Sequence, residues 1–347
     1  MYIKRILLAI VLVGLLVAGG FAYFVYQAVF SPNTGFESDK KVVFIPTNST
    51  FDDVVKILEP SLDDVSTFVK IATKKGYNTN VKAGKYILTS GMNNNDIVNT
   101  LRSKNIPVQV TFNNQERLED LAGRIAVQIE ADSTELINAF INEDFLNANN
   151  FNVETALSMY LPNKYEFFWN TSGSQFRDRM LREYKAFWSD DRLRKANQIG
   201  LTPTEVITMA SIVQKETAKV DERRRVAGVY MNRYTNGWKL DADPTIIYAL
   251  KKYRNDWDTV IKRVLYKDLE LDSPYNTYKY NTLPPGPITM PDISSIDAVL
   301  NYEKHDYYFF VADIQNMGYH KFAKTMAQHN QNKQQYIRWI NEQGIKR

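Results

Sequence analysis

The sequence predicts an α+β protein: an N-terminal transmembrane helix, a small βααβ module and a larger mixed helical/β region. Three observations carry that reading. Ile6 to Phe30 is almost unbroken apolar sequence. Between residues 41 and 105, short β-branched runs bracket segments with helix-period apolar spacing. From 106 to 347 there are several capped helix signals, few strand signals and one late hairpin. The expected divisions are a cytoplasmic tail at 1–5, a membrane helix at 6–30, a linker at 31–40, the module at 41–105 and the main region at 106–347. A chain of 347 residues has room for an anchor and two or three modest domains.

Composition narrows the function. Forty-three basic and 39 acidic residues leave a formal net charge of +4 without a long basic tract, so nucleic acid is not indicated. With no cysteine, disulfides and thiolate chemistry are excluded. The apolar run exceeds the ~20 residues needed to cross a bilayer as a helix. Lys4 and Arg5 precede it, which places the N-terminus in the cytoplasm and the remainder outside. Tyr23 and Tyr26 suit the outer interface. No A-x-A-like site follows, so the run reads as an uncleaved anchor rather than a signal peptide. Ser31 to Asp39 is polar linker.

The elements follow in order. KVVFIP at 41–46 is a short strand signal. Thr47 to Thr50 starts a helix carrying Val54, Val55 and Leu58, and a second helix spans about Asp63 to Thr73. Gly84 to Leu88 returns as a strand, and Gly91-Met92-Asn93 leads into a helix carrying Ile97, Val98 and Leu101. PVQVTF at 107–112 is another strand, Glu116 to Ile129 an amphipathic helix, and further helices run from Ser133 through Leu157. Thr202-Pro203-Thr204-Glu205 is a capping box with proline at the first helical position. Asp221 is expected to cap the next helix, which Asn236-Gly237 ends. Arg223, Arg224 and Arg225 read as a solvated face. Asp243-Pro244-Thr245 is another helix start with Asp as cap. Residues 307–313 and 319–323 suggest a hairpin, followed by a terminal helix from about Thr325.

The most telling stretch is Ala210 to Asn232, ASIVQKETAKVDERRRVAGVYMN. Glu216 lies one helical turn after Ile212 and two after Met209, with Val213 three residues before it. A carboxyl group on such an apolar wall loses hydration, which raises its pKa. It can then hold a proton near neutral pH and donate it as a general acid. A plainer alternative has Glu216 flanking the stripe and pairing with Lys215 or Lys219. Lys215 and Glu222 are expected to project from other parts of the helical surface. Pattern alone leaves the choice for Glu216 open.

Linked motifs extend the signal. IVQKETA, VAGVYMNR and DADPTIIYAL are followed by SPYNTYKYNTLPPGPI at 273–288 and YYFFVAD…GYHKFAKTMAQHN at 307–330. Together they resemble the core of the MltG-type (YceG-like) endolytic murein transglycosylases, with weaker similarity back to about residue 40. The resemblance implies cleavage of peptidoglycan strands with Glu216 as the catalytic residue. Gln214 stands where that family often has Glu, which leaves Glu216 the only acid of the QKE triplet. The βααβ block resembles the family's LysM-like module, a glycan contact or a mere spacer. Glu166, in the segment Tyr160 to Phe167, is a candidate second acid or a structural carboxylate.

Candidate substrate contacts are Asn232, Tyr275, Asn276, Thr277, Tyr278 and His320. Amide and phenol groups at 275–278, before the rigid Leu283-Pro284-Pro285-Gly286-Pro287, suit sugar hydroxyls and acetamido groups. Asn276 could equally tie its loop to itself. His305, His320 and His329 fit no metal motif, and neither metal nor organic cofactor is expected. Expected partners are peptidoglycan glycan strands and the cytoplasmic membrane, with peptidoglycan synthases as a family-level implication. A competing class is a catalytically inactive, membrane-tethered glycan-binding scaffold.

Overall fold

The computed structural model describes residues 2–342. The chain forms two compact units. One holds the residues up to Val110 together with Ala126–Ala131 and Tyr165–Ser172. The other holds Thr111–Ile125, Asp132–Lys164 and the chain from Gly173 onward.

The first unit opens with α1 (Tyr2–Phe30), a 29-residue helix with no buried side chain. By length and composition it can cross a membrane. Then come β1 (Lys40–Ile45), α2 (Phe51–Leu58), α3 (Val65–Lys74), β2 (Gly84–Thr89) and α4 (Asn94–Ser103). The helices begin where short polar side chains satisfy free backbone donors. Thr50 and Asp53 form a reciprocal box before α2, Asp64 caps α3 and Asn93 caps α4. β1 and β2 are antiparallel, from Lys40 opposite Thr89 to Ile45 opposite Gly84. Alternation puts Val43, Ile45, Tyr86 and Leu88 on one face, against Val54, Leu58, Phe68, Ile97 and Leu101.

β3 (Pro107–Phe112) leads to α5 (Leu118–Ala126), α6 (Ser133–Phe140) and α7 (Glu143–Ala148), and β4 (Asn163–Phe168) pairs with β3. α5 is shorter than its sequence signal at both ends, and Glu116, just before it, pairs with Lys215 and Lys251.

The second unit continues with α8 (Gly173–Phe187), α9 (Asp190–Gln198), α10 (Pro203–Glu216), α11 (Arg223–Thr235), α12 (Asp243–Arg254) and α13 (Ile293–Leu300). The hairpin β5 (Phe309–Ala312) and β6 (His320–Ala323) precedes α14 (Met326–Glu342). α10 is the central rod, packed against α11, α12 and α13. α11 lies close to the segment after α13: a Cβ at Gly228 would sit 2.3 Å from the Glu303 carbonyl oxygen. Only a glycine permits that approach.

Three local expectations are corrected here. Glu222, not Asp221, precedes α11, and it makes no side-chain capping bond; Asp221 accepts from the Tyr319 hydroxyl instead. Ala242 holds the cap position of α12, which leaves Asp243 as its first residue. Arg223 is buried rather than solvated, and its guanidinium donates to the Ser294 hydroxyl at 2.6 Å.

Candidate active site

Glu216 owes its place to the way α10 starts and stops. Thr202 and Glu205 close the expected capping box. The next turns bury every residue from Val206 to Val213, so the helix is enclosed all round rather than along one stripe. Enclosure ends in the last turn, where Thr217 turns extended and caps the helix. Glu216 is therefore the residue at which a buried helix opens onto a cavity. Neither lysine neighbour neutralises it. Lys215 pairs with Glu116, and Lys219 lies over the Tyr319 ring.

The cavity has a volume of about 370 Å³ and lies wholly in the second unit. Glu216 and Tyr230 share one wall, where the tyrosine hydroxyl donates to the glutamate carboxylate at 2.6 Å. Arg233, one turn further along α11, donates to the carbonyls of Tyr308 and Leu240 and meets Asp241 at 3.3 Å. Asp243 accepts from the Tyr278 hydroxyl at 2.6 Å. Phe309 and Phe310 of β5, with Met326 and His329 of α14, close the other side. Carboxylates, a guanidinium and aromatic faces thus share one hollow, a composition suited to a polar ring with an apolar face.

Burial pushes the Glu216 carboxyl above the ordinary carboxylate range. The Tyr230 hydrogen bond and the charges of His320 and Arg233 act against that rise, while Asp243 adds to it. Desolvation likewise raises Asp241, against Arg233 and Lys239. Burial lowers His329, aided by Lys333 and Arg233, which favours its neutral ring.

Of the other expected contacts, only Tyr278 lines this cavity among the described residues. Asn276 is buried, and its amide is spent on the Leu269 and Leu271 carbonyls and the Tyr278 and Lys279 amides. Thr277 is buried against Thr245 and the Ala242 amide. Tyr275 points its hydroxyl at Glu154. Asn232 fastens α11 to the carbonyls of His305 and Tyr307. The motif loop is thus built so that Tyr278, rather than Asn276, reaches the cavity.

His320 stands behind the wall, its ring edge-on to Phe310 at 4.9 Å. Its Nδ1 and backbone amide meet the Glu222 carboxylate at 2.8 and 2.7 Å, and Thr217 donates to the same group. Glu222 is therefore a buried clamp on the residue next to Glu216, not an outward side chain. Desolvation would raise its carboxyl, but the hydrogen bonds from His320 prevail and lower it. Gln214 ties α10 to the Asp292 amide and the Ser295 hydroxyl. Glu166 is exposed on β4 in the first unit. Among the described residues, no group of three or more His, Asp or Glu side chains is placed to hold a metal.

Sequence reasoning missed Tyr230, Arg233, Asp241 and Asp243 as cavity residues. All four lie inside the quoted motifs VAGVYMNR and DADP, so the signal was present without a position in space.

The model of the YceG-like family matches residues 43–335. The chain belongs to the YceG-like family. Its similarity to known relatives runs nearly end to end. The endolytic murein transglycosylase of Bacillus subtilis is 30% identical over 353 aligned positions, covering 94% of this chain and 93% of that one. That of Streptococcus pneumoniae is 28% identical, covering 94% of this chain and 64% of its own longer one. The crystal structure of a YceG-like protein from Listeria monocytogenes aligns with a TM-score of 0.56 at 29% identity, covering 85% of this chain and 99% of that one.

Proposed function

We propose that this YceG-like protein is a membrane-tethered endolytic lytic transglycosylase, cutting N-acetylmuramic acid–N-acetylglucosamine bonds within peptidoglycan strands. The observation that carries the reading is Glu216, a carboxyl of raised pKa at the mouth of a buried helix, facing a cavity and held by the Tyr230 hydroxyl. The Bacillus and Streptococcus relatives, both named endolytic murein transglycosylases, support the choice of substrate.

Protonated Glu216 gives its proton to the glycosidic oxygen as the bond to the anomeric carbon breaks. The neighbouring 2-acetamido oxygen stabilises the positive charge that develops there. Glu216, now a carboxylate, takes the proton of the sugar's own C6 hydroxyl while that oxygen bonds the anomeric carbon. A 1,6-anhydro ring and a free 4-hydroxyl result, no water is consumed, and the glutamic acid is restored. Tyr230 orients the carboxyl throughout.

Asp241 and Asp243 bring further carboxylates into the cavity, and a glycosidase would use a second carboxylate to activate water or attack carbon. Product analysis separates the two chemistries. Mass spectrometry of fragments released from purified peptidoglycan should show 1,6-anhydro ends. Reducing ends would make the protein a hydrolase. Binding without release would make it a scaffold.

A further inference from the structure

A second, larger cavity of about 910 Å³ adjoins the first and shares Asp243, Tyr278 and Lys333 with it. Its volume lies within the roughly 300–1,000 Å³ typical of ligand sites. One side is the irregular chain after α12, which contributes Lys262, Arg263 and Tyr266; the other is α14, with Lys333, Tyr336 and Ile340. Tyr266 is 86% exposed. Among the described residues, Lys262, Arg263 and Lys333 take part in no ion pair, although sixteen such pairs occur elsewhere in the chain. The one acid of this hollow, Asp243, is already engaged by Tyr278. Three uncompensated cations converging on a concavity raise its positive potential and favour an anionic occupant.

We propose that this hollow is an anion-recognising extension of the cleft that takes the carboxylates of the peptides borne by the glycan strand. The proposal rests on the reading of the first cavity as the transglycosylase centre. The sugars of such a strand are neutral, and its carboxylates lie in the peptides attached to the muramic acid. A sugar held at Glu216 would direct a substituent past Tyr278 and Asp243 toward Lys262 and Arg263. Guanidinium and ammonium groups recognise carboxylates through charge-assisted hydrogen bonds.

Binding tests this apart from turnover. Full-length Glu216→Gln protein in detergent is titrated with glycan strands bearing their peptides and with the same strands after their peptide carboxylates have been capped as amides. The protein should hold the strands with free carboxylates about tenfold tighter, the size expected from two or three exposed charge contacts. Adding Lys262→Ala and Arg263→Ala should bring that ratio close to one, and Lys333→Ala alone should reduce it. The ratio should also shrink as salt is raised. Lys304→Ala, an exposed change away from the cavity lining, should leave it intact. A ratio that survives the double change overturns the proposal, as does a parent protein without preference. Equal weakening toward both strands overturns the anion assignment. The underlying reading fails by a different sign: wild-type protein that releases no anhydro-ended fragments, whatever the binding ratio.

Discussion

In the proposed reaction Glu216 is protonated before the bond breaks and ionised after it, which requires an environment that makes both forms accessible. Burial favours the protonated form, while Tyr230 and the nearby positive charges temper the rise. Glu216→Gln keeps the shape and an acceptor for Tyr230 but carries no exchangeable acid proton. Turnover should fall by about 10²–10⁴, the usual worth of general acid–base help, measured as anhydro-ended product per folded molecule. Stability should move the other way. A carboxyl whose folded pKa is raised contributes stability below its unfolded pKa, near 4.3, and loses it as pH rises through the folded value. Thermal melts should therefore find the Gln variant level with the parent in acid and equal or more stable at neutral pH. A variant that melts far earlier at neutral pH would assign Glu216 to structure. Asp243 offers a finer test, because its charge adds to the rise at Glu216. Asp243→Asn should shift the descending, high-pH limb of the turnover profile to lower pH. An unmoved limb would mean that the two carboxyls do not communicate. Glu216 stood out as a candidate in the sequence because it lies within a contiguous family motif, although its spacing alone left its role open. Asp243 did not: a cap explained it locally, and only the fold brings α12, Tyr278 and β5 around one hollow.

Among the elements, those fixed by local chemistry were the ones legible beforehand. Caps at Thr50, Asp64, Asn93 and Thr202 start helices within a residue or two of their sequence signals. The turn at Asn236-Gly237 ends α11 with Gly237 at φ 70°, a left-handed conformation that glycine adopts without strain. What escaped was burial. The enclosure of α10 on all sides depends on α11, α12 and α13, which no spacing rule within α10 reports. Arg223 reads as one of three solvated arginines, yet packing against the start of α13 hides it. The 275–278 loop shows both outcomes. Its place beside the site was legible, but the division of labour within it was not, since a buried amide and a displayed phenol look alike in sequence. Asn276→Ala should accordingly cost stability, about 1–3 kcal/mol for buried partners left unsatisfied. Activity per folded molecule should stay close to that of the parent below the melting transition. This reverses the sequence expectation for Asn276 as a sugar contact. A variant of unchanged melting temperature that has lost turnover would restore it.

For the whole molecule, the decisive contrast is between α1 and everything after it. None of the side chains of α1 is buried, whereas the chain beyond it buries two separate cores. An apolar helix of this length left uncovered in water would expose far more apolar surface than soluble proteins tolerate. A bilayer removes that cost and needs only about 20 such residues. Lys4 and Arg5 then favour a cytoplasmic N-terminus, because basic residues flanking a span stay on that side. Tethering by α1 would confine Glu216 to glycan close to the membrane, where strands emerge from synthesis. The full-length protein should sediment with the cytoplasmic membrane and enter solution only with detergent. Protease added to intact protoplasts should digest the second unit, while a tag placed before Tyr2 survives until the membrane is opened. A soluble form beginning near Phe21 in undisturbed cells, or a second unit protected until lysis, would overturn the topology. Removing residues 2–30 should leave a protein that still cuts isolated peptidoglycan, because the lining of the Glu216 cavity is drawn entirely from the second unit. In cells the same truncation should fail to replace the tethered form, since the cleft would be intact but no longer held at the membrane.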